Sequence, residues 1–133
     1  MQIYKFLSPE WLVETEKIIR SRITPETINY ASTSVLTTFE NCPDGTEKAL
    51  FFQVTKGTLT EISLHKSPYP EVEFAINGEY VTFVKIFRGE LEPSAALMTG
   101  ELNFQGNLLR AMGMISLIEP FYKVLAEIPA VFE

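Results

Sequence analysis

One cysteine, one histidine and one tryptophan occur in the 133 residues. Each scarcity removes a class of chemistry. The lone Cys42 cannot close an internal disulfide, which fits a reducing compartment. One cysteine and one histidine cannot supply the ligand set of a zinc or iron site, so no metal is expected. His65 stands in an alternating segment beside Lys66, and no nucleophile, base and orienting acid can be assembled around it from recognisable parts. Glycine is sparse too. Gly78, Gly89, Gly100 and Gly106 are spaced as caps and turns, forming neither a P-loop nor a dinucleotide fingerprint, and no cofactor is expected.

Long apolar runs are also missing. No stretch approaches the ~20 residues that span a bilayer, and Met1 to Leu7 lacks the charged start and apolar middle of a secretion signal. The expected location is cytoplasmic, without stable membrane insertion. Basic residues are outnumbered, 11 against 17 acidic ones, for a net charge of −6. That balance opposes nucleic acid and strongly anionic surfaces. The densest basic group, Lys17, Arg20 and Arg22, reads as the wet face of a helix.

What the chain does have is apolar surface. Hydrophobic residues make up 46% of it, and the mean hydropathy of +0.08 is high for a soluble chain. An apolar pocket would use that excess, and so would a homodimer interface.

Periodicity divides the sequence into three stretches. Ser8-Pro9-Glu10 starts a helix with a hydroxyl cap, a proline and an acid, predicted from Pro9 to about Ile23 with Trp11, Leu12, Ile18, Ile19 and Ile23 inward. From Ser32 to Ile76 the period is two, giving strands at Val35–Phe39, Ala49–Thr55, Leu59–Leu64 and Val72–Ile76. Turns are expected at Cys42–Thr46 and Lys56-Gly57, with a stiff loop at Ser67–Pro70 and Asn77 as a helix cap. From Gly78 the helical period returns: Tyr80, Phe83, Val84 and Phe87 share one stripe that Gly89 ends. A strand at Glu101–Gln105 follows, then a helix from the cap Asn107 to about Ile118, apolar nearly all round. Pro120 is expected to open a last helix and then a loose tail. The order implies a single α+β domain, residues 1–133, in which helices cover one face of a mostly antiparallel sheet of about five strands.

The segment Gly89-Glu-Leu-Glu-Pro-Ser-Ala-Ala-Leu-Met-Thr-Gly-Glu-Leu-Asn-Phe-Gln-Gly-Asn107 resembles the signature of the sterol carrier protein 2 family. Its carriers are Gly89, Pro93, Ala95, Ala96, Leu97, Met98, Gly100, Leu102, Phe104, Gly106 and Asn107. The resemblance is strongest from Asn77 to Asn107 and extends from about Ser32 to Ile128. It implies a small, non-catalytic, free-standing domain of prokaryotic type, with a lipid tunnel between sheet and helices. Phe83, Val84, Phe87, Leu97, Met98, Phe104, Met112, Ile115, Phe121 and Leu125 would then line the tunnel. The implied partner is a fatty acid, an isoprenoid or a sterol-like molecule. Acyl-CoA fits less well, because its polyanionic head would meet an acidic surface. Glu101, Asn103 and Gln105 stand where many relatives carry lysines, and the chain ends Val131-Phe132-Glu133 without a peroxisomal Ser-Lys-Leu address. Two other readings stay open: an accessory domain dimerising through the helix after Asn107, and a small isomerase built on one buried carboxylate and a tyrosine.

Overall fold

The computed structural model describes residues 3–66, 68–112, 115–128 and 130–132, with side chains for all of these except Leu108, residues 115–119 and Tyr122. The elements run β1 (Tyr4–Lys5), α1 (Pro9–Arg22), β2 (Thr33–Glu40), β3 (Lys48–Thr55), β4 (Thr58–His65), β5 (Phe74–Glu79), α2 (Tyr80–Phe87), α3 (Pro93–Thr99), β6 (Leu102–Gln105), α4 (Leu108–Met112), α5 (Ile115–Glu127) and β7 (Ala130–Val131). Strands β4-β3-β2-β5-β6 form one sheet in that order. The fold is α+β.

Local chemistry sets several boundaries where the sequence places them. The Ser8 hydroxyl oxygen accepts the Trp11 N–H at 3.2 Å, with Pro9 behind it, so α1 begins there. In the turn after β2, Asp44 Oδ1 accepts both the Thr46 N–H at 3.0 Å and the Thr46 hydroxyl at 2.6 Å. Lys56 and Gly57 both take positive φ, 51° and 82°, the requirement of a tight hairpin between β3 and β4. A Cβ on Gly57 would also lie 2.6 Å from Pro25 Cα, so the glycine is demanded by space as well as by backbone.

Alternation gives the sheet two unequal faces. Val35, Phe39, Leu50, Phe52, Ile62, Phe74, Ile76 and Leu102 join the main core with residues of α1, α2 and α5. Leu36, Ala49 and Phe51 form a small second cluster on the far face. Phe51 and Phe52 therefore point apart, as the period of two requires.

The five-stranded sheet is mostly antiparallel, as expected, with one parallel pairing, β5 on β2, Val35 opposite Phe74 and Glu40 opposite Glu79. The reason is the far face: Leu36, Ala49 and Phe51 need cover, and the chain after β4 supplies it by packing Tyr69 and Val72 on them before reaching the free side of β2. The Tyr69 hydroxyl donates to Glu47 Oε2 at 2.5 Å, which pins that strap. Asn77 does not cap a helix. It lies inside β5 and donates to Glu40 Oε2 at 3.0 Å, and α2 starts later, after Glu79, without a side-chain cap.

Past the cap Asn107 the described residues are helical at Leu108–Met112 (α4) and Ile115–Glu127 (α5), and Pro120 lies inside α5 instead of opening a last helix. Met114 and Ser67 fall outside the described residues, as do the side chains of Leu117 and Ile118. The expected loose tail is β7, paired parallel to β1 through Tyr4 with Ala130 and Lys5 with Val131.

Candidate functional site

The stripe of α2 faces the sheet. Phe83, Val84 and Phe87 are all buried in the main core, and the Phe83 ring lies 4.5 Å from Phe39 of β2 and 6.3 Å from Phe87. From α5, Phe121 stacks on Phe52 of β3 at 4.6 Å and an interplanar angle of 15°, with Leu125 buried in the same cluster. Phe104 of the edge strand β6 is half-buried, its ring 5.6 Å from Phe74 of β5. Six of the ten wall candidates thus meet in one apolar layer between sheet and helices.

Three others point outward. Met98 is 88% exposed, Met112 63% and Leu97 38%, and Leu109 joins them at 83%. Among the described side chains, α3 and residues 108–112 of α4 each bury only an alanine: Ala96, on the helix that packs against β6, and Ala111. Leu97, Met98, Leu109 and Met112 face solvent on the segments that flank β6 in sequence. Ile115 begins α5, and its side chain lies outside the described residues.

Polar contacts hold α4 to the sheet. Asn107 Oδ1 accepts the Arg110 N–H at 3.1 Å, the cap expected of it. The Arg110 guanidinium donates to the Ser32 carbonyl at 3.0 Å and forms an ion pair with Glu73. The Thr33 hydroxyl donates to the same carboxylate at 2.5 Å. Partial burial pushes the Glu73 carboxyl up, but the hydrogen bonds from Arg110 and Thr33 outweigh it and leave the group below its ordinary value.

Elsewhere the chemistry is muted. His65 stands on the far face of the sheet, 2.8 Å from the Ser63 hydroxyl and edge-on to Phe51. Among the described residues no three His, Cys, Asp or Glu side chains converge as a metal site requires. A cleft of about 200 Å³ opens at the C-terminal end of β2 between Phe6, Leu7, Cys42, Lys48 and Tyr80, below the roughly 300–1,000 Å³ of small-molecule pockets. Burial pushes the Cys42 thiol up, and it donates to the Phe39 carbonyl at 3.4 Å. No described helix is long and apolar enough to cross a membrane.

Sequence reasoning missed Phe6. Its ring contacts Trp11, Phe39, Tyr80, Phe87 and Phe132 within 5.8 Å, joining segments from both ends of the chain. No local pattern announces such a residue, because most of its partners are distant in sequence.

A layer of aromatic rings between a five-stranded sheet and its helices has counterparts among known proteins. The model of the SCP-2 sterol transfer family matches residues 38–119. The chain belongs to that family. Solved structures agree on the fold: a crystal structure of sterol carrier protein 2 superposes with a TM-score of 0.79 at 17% identity, covering 93% of this chain and 99% of its own. A conserved hypothetical protein of Thermus thermophilus, possibly a sterol carrier protein, gives 0.77 at 17% identity, covering 100% of this chain and 96% of its own. The palmitated SCP2L2 of Aedes aegypti gives 0.61 at 12% identity, covering 84% and 94%. No curated protein matches the chain. The family match runs from late β2 into α5, so it takes in every wall candidate except Phe121 and Leu125.

Proposed function

We propose that this protein binds and carries an apolar, lipid-like molecule, a fatty acid, an isoprenoid or a sterol-like compound, without transforming it. The observation that carries the reading is the set of large apolar side chains held in water on α3 and α4: Leu97, Met98, Leu109 and Met112. Such groups cost free energy unless something apolar covers them. They lie on the segments just before and just after β6 in the chain, and Phe104 of β6 reaches inward to Phe74 and the buried layer. The proposed path runs from that exposed rim to Phe83, Val84, Phe87, Phe121 and Leu125, with Ile115 at the start of α5. Methionines suit a rim that must adapt to irregular chains. Two comparisons support the reading: the family is one of sterol transfer, and the mosquito neighbour is a palmitated form. A buried, unpaired Cys42 fits the cytoplasm. The whole chain acts as one lipid-binding domain.

The test is chain length. Each methylene moved from water into the apolar layer contributes about 0.8 kcal/mol, so a sixteen-carbon fluorescent fatty acid binds far more tightly than an eight-carbon one. Equal affinity for the two would sink the proposal.

A second reading has its own support. Leu109 and Met112 of α4 would equally suit contact with a second copy of the chain. Sedimentation of the ligand-free protein separates the two: a stable dimer that binds no lipid favours the interface.

A further inference from the structure

Trp11 is the one tryptophan of the chain and is fully buried, yet among the described residues its indole Nε1–H meets no hydrogen-bond acceptor. Buried donors are nearly always paired, because an unmade bond costs the whole desolvation of the group. Phenylalanine would fill an apolar position of this kind with no polar atom to satisfy. Thr15, the other polar side chain buried on α1, is satisfied: its hydroxyl donates to the Trp11 carbonyl at 2.7 Å. Among the described residues the indole nitrogen alone is left over.

Its surroundings indicate what completes it. The indole packs edge-on against Phe6 at 5.0 Å, and Phe6 contacts Phe87 at 5.4 Å. Helix α1 also packs on α5, which carries Phe121 and Leu125. Trp11 thus stands one ring, that of Phe6, away from the proposed lipid layer. Charge narrows the class of acceptor that completes it. Among the described residues every Lys and Arg is exposed except Lys48, which is half-buried at the cleft. An ionised carboxylate at Trp11 would gain one hydrogen bond and carry an uncompensated buried charge. A neutral oxygen incurs no such penalty.

We infer that the Trp11 indole N–H anchors a neutral oxygen head, so that among the ligands of the carrier reading a long-chain or ring-bodied alcohol, ketone or ester binds more tightly than an ionised fatty acid of the same length. The inference rests on the carrier reading above and adds to it the head-group class and the residue that reads it.

The experiment uses hexadecan-1-ol and hexadecane as competitors for a bound fluorescent probe, against the parent protein and Trp11→Phe. One hydrogen bond of ordinary strength corresponds to roughly a fivefold change in affinity. The alcohol-to-hydrocarbon affinity ratio therefore falls about fivefold in the variant, while hydrocarbon binding persists. A ratio that is the same in both proteins overturns the inference. A second measurement needs no variant: the single indole ¹H–¹⁵N resonance moves downfield when hexadecan-1-ol binds and stays nearly in place with hexadecane. An indole resonance that stays put while the alcohol binds overturns the anchor alone. Failure of every probe to bind overturns the carrier reading and the anchor with it.

Discussion

Gly78 of β5 faces Leu102 of β6 so closely that a Cβ on Gly78 would lie 2.5 Å from Leu102 Cδ2. The same Cβ would meet the Glu101 carbonyl oxygen at 3.1 Å and the Phe83 ring at 3.4 Å. Leu102 is itself buried, with little room to retreat. Gly78→Ala is therefore expected to destabilise the protein by about 1–3 kcal/mol, the usual cost of overpacking. Denaturant unfolding of parent and variant checks it through the shift in midpoint at constant slope.

The apolar rim offers a cleaner functional test. Leu109 and Met112 are mostly exposed, so replacing both by aspartate disturbs little packing, and stability should stay within about 0.5 kcal/mol per site. Affinity for a sixteen-carbon probe should fall at least severalfold, because the rim then repels an apolar chain. Thermal melts and probe titration on one preparation decide it; unchanged affinity would move the entrance away from α4.

Acid should loosen α4. The Glu73 carboxyl, held by Arg110 and Thr33, titrates below its ordinary value of 4.5. A depressed carboxyl contributes stability that is present above the unfolded value and is lost as pH falls through the folded one. The difference in melting temperature between the parent and Glu73→Gln is thus largest above pH 4.5 and shrinks below it. Melts at a series of pH values check the trend, and a difference that grows on acidification contradicts it.

Much of the fold is legible in the sequence because its signals are local. Ser8-Pro9 at the start of α1 and Lys56-Gly57 between β3 and β4 each act within a few residues. Sequence and structure part where distant contacts decide. Asn77 has the chemistry of a cap, but strand pairing with Asn103 and the carboxylate of Glu40 claim it first. Nothing between β4 and β5 shows that the strap must cover Leu36 and Phe51, so the parallel pairing with β2 stays hidden. The buried half of the site is legible, since Phe83, Val84 and Phe87 follow the helical period. Met98 and Met112 carry the same apolar signal yet face solvent, because the sequence pattern does not say which apolar side chains find a partner.

The parallel pairing of β5 with β2 also dictates an order of assembly. β2, β3 and β4 are consecutive hairpin partners and close short loops, whereas β5 must return across the sheet before it can pair. Non-local pairings of that kind come late, because the loop entropy is lost before contacts compensate it. Helix α2 packs on β5 and on β2, so its docking needs that return. The apolar layer proposed for the lipid is therefore finished last, and amide exchange should show its helices opening more readily than the hairpins until a lipid fills it.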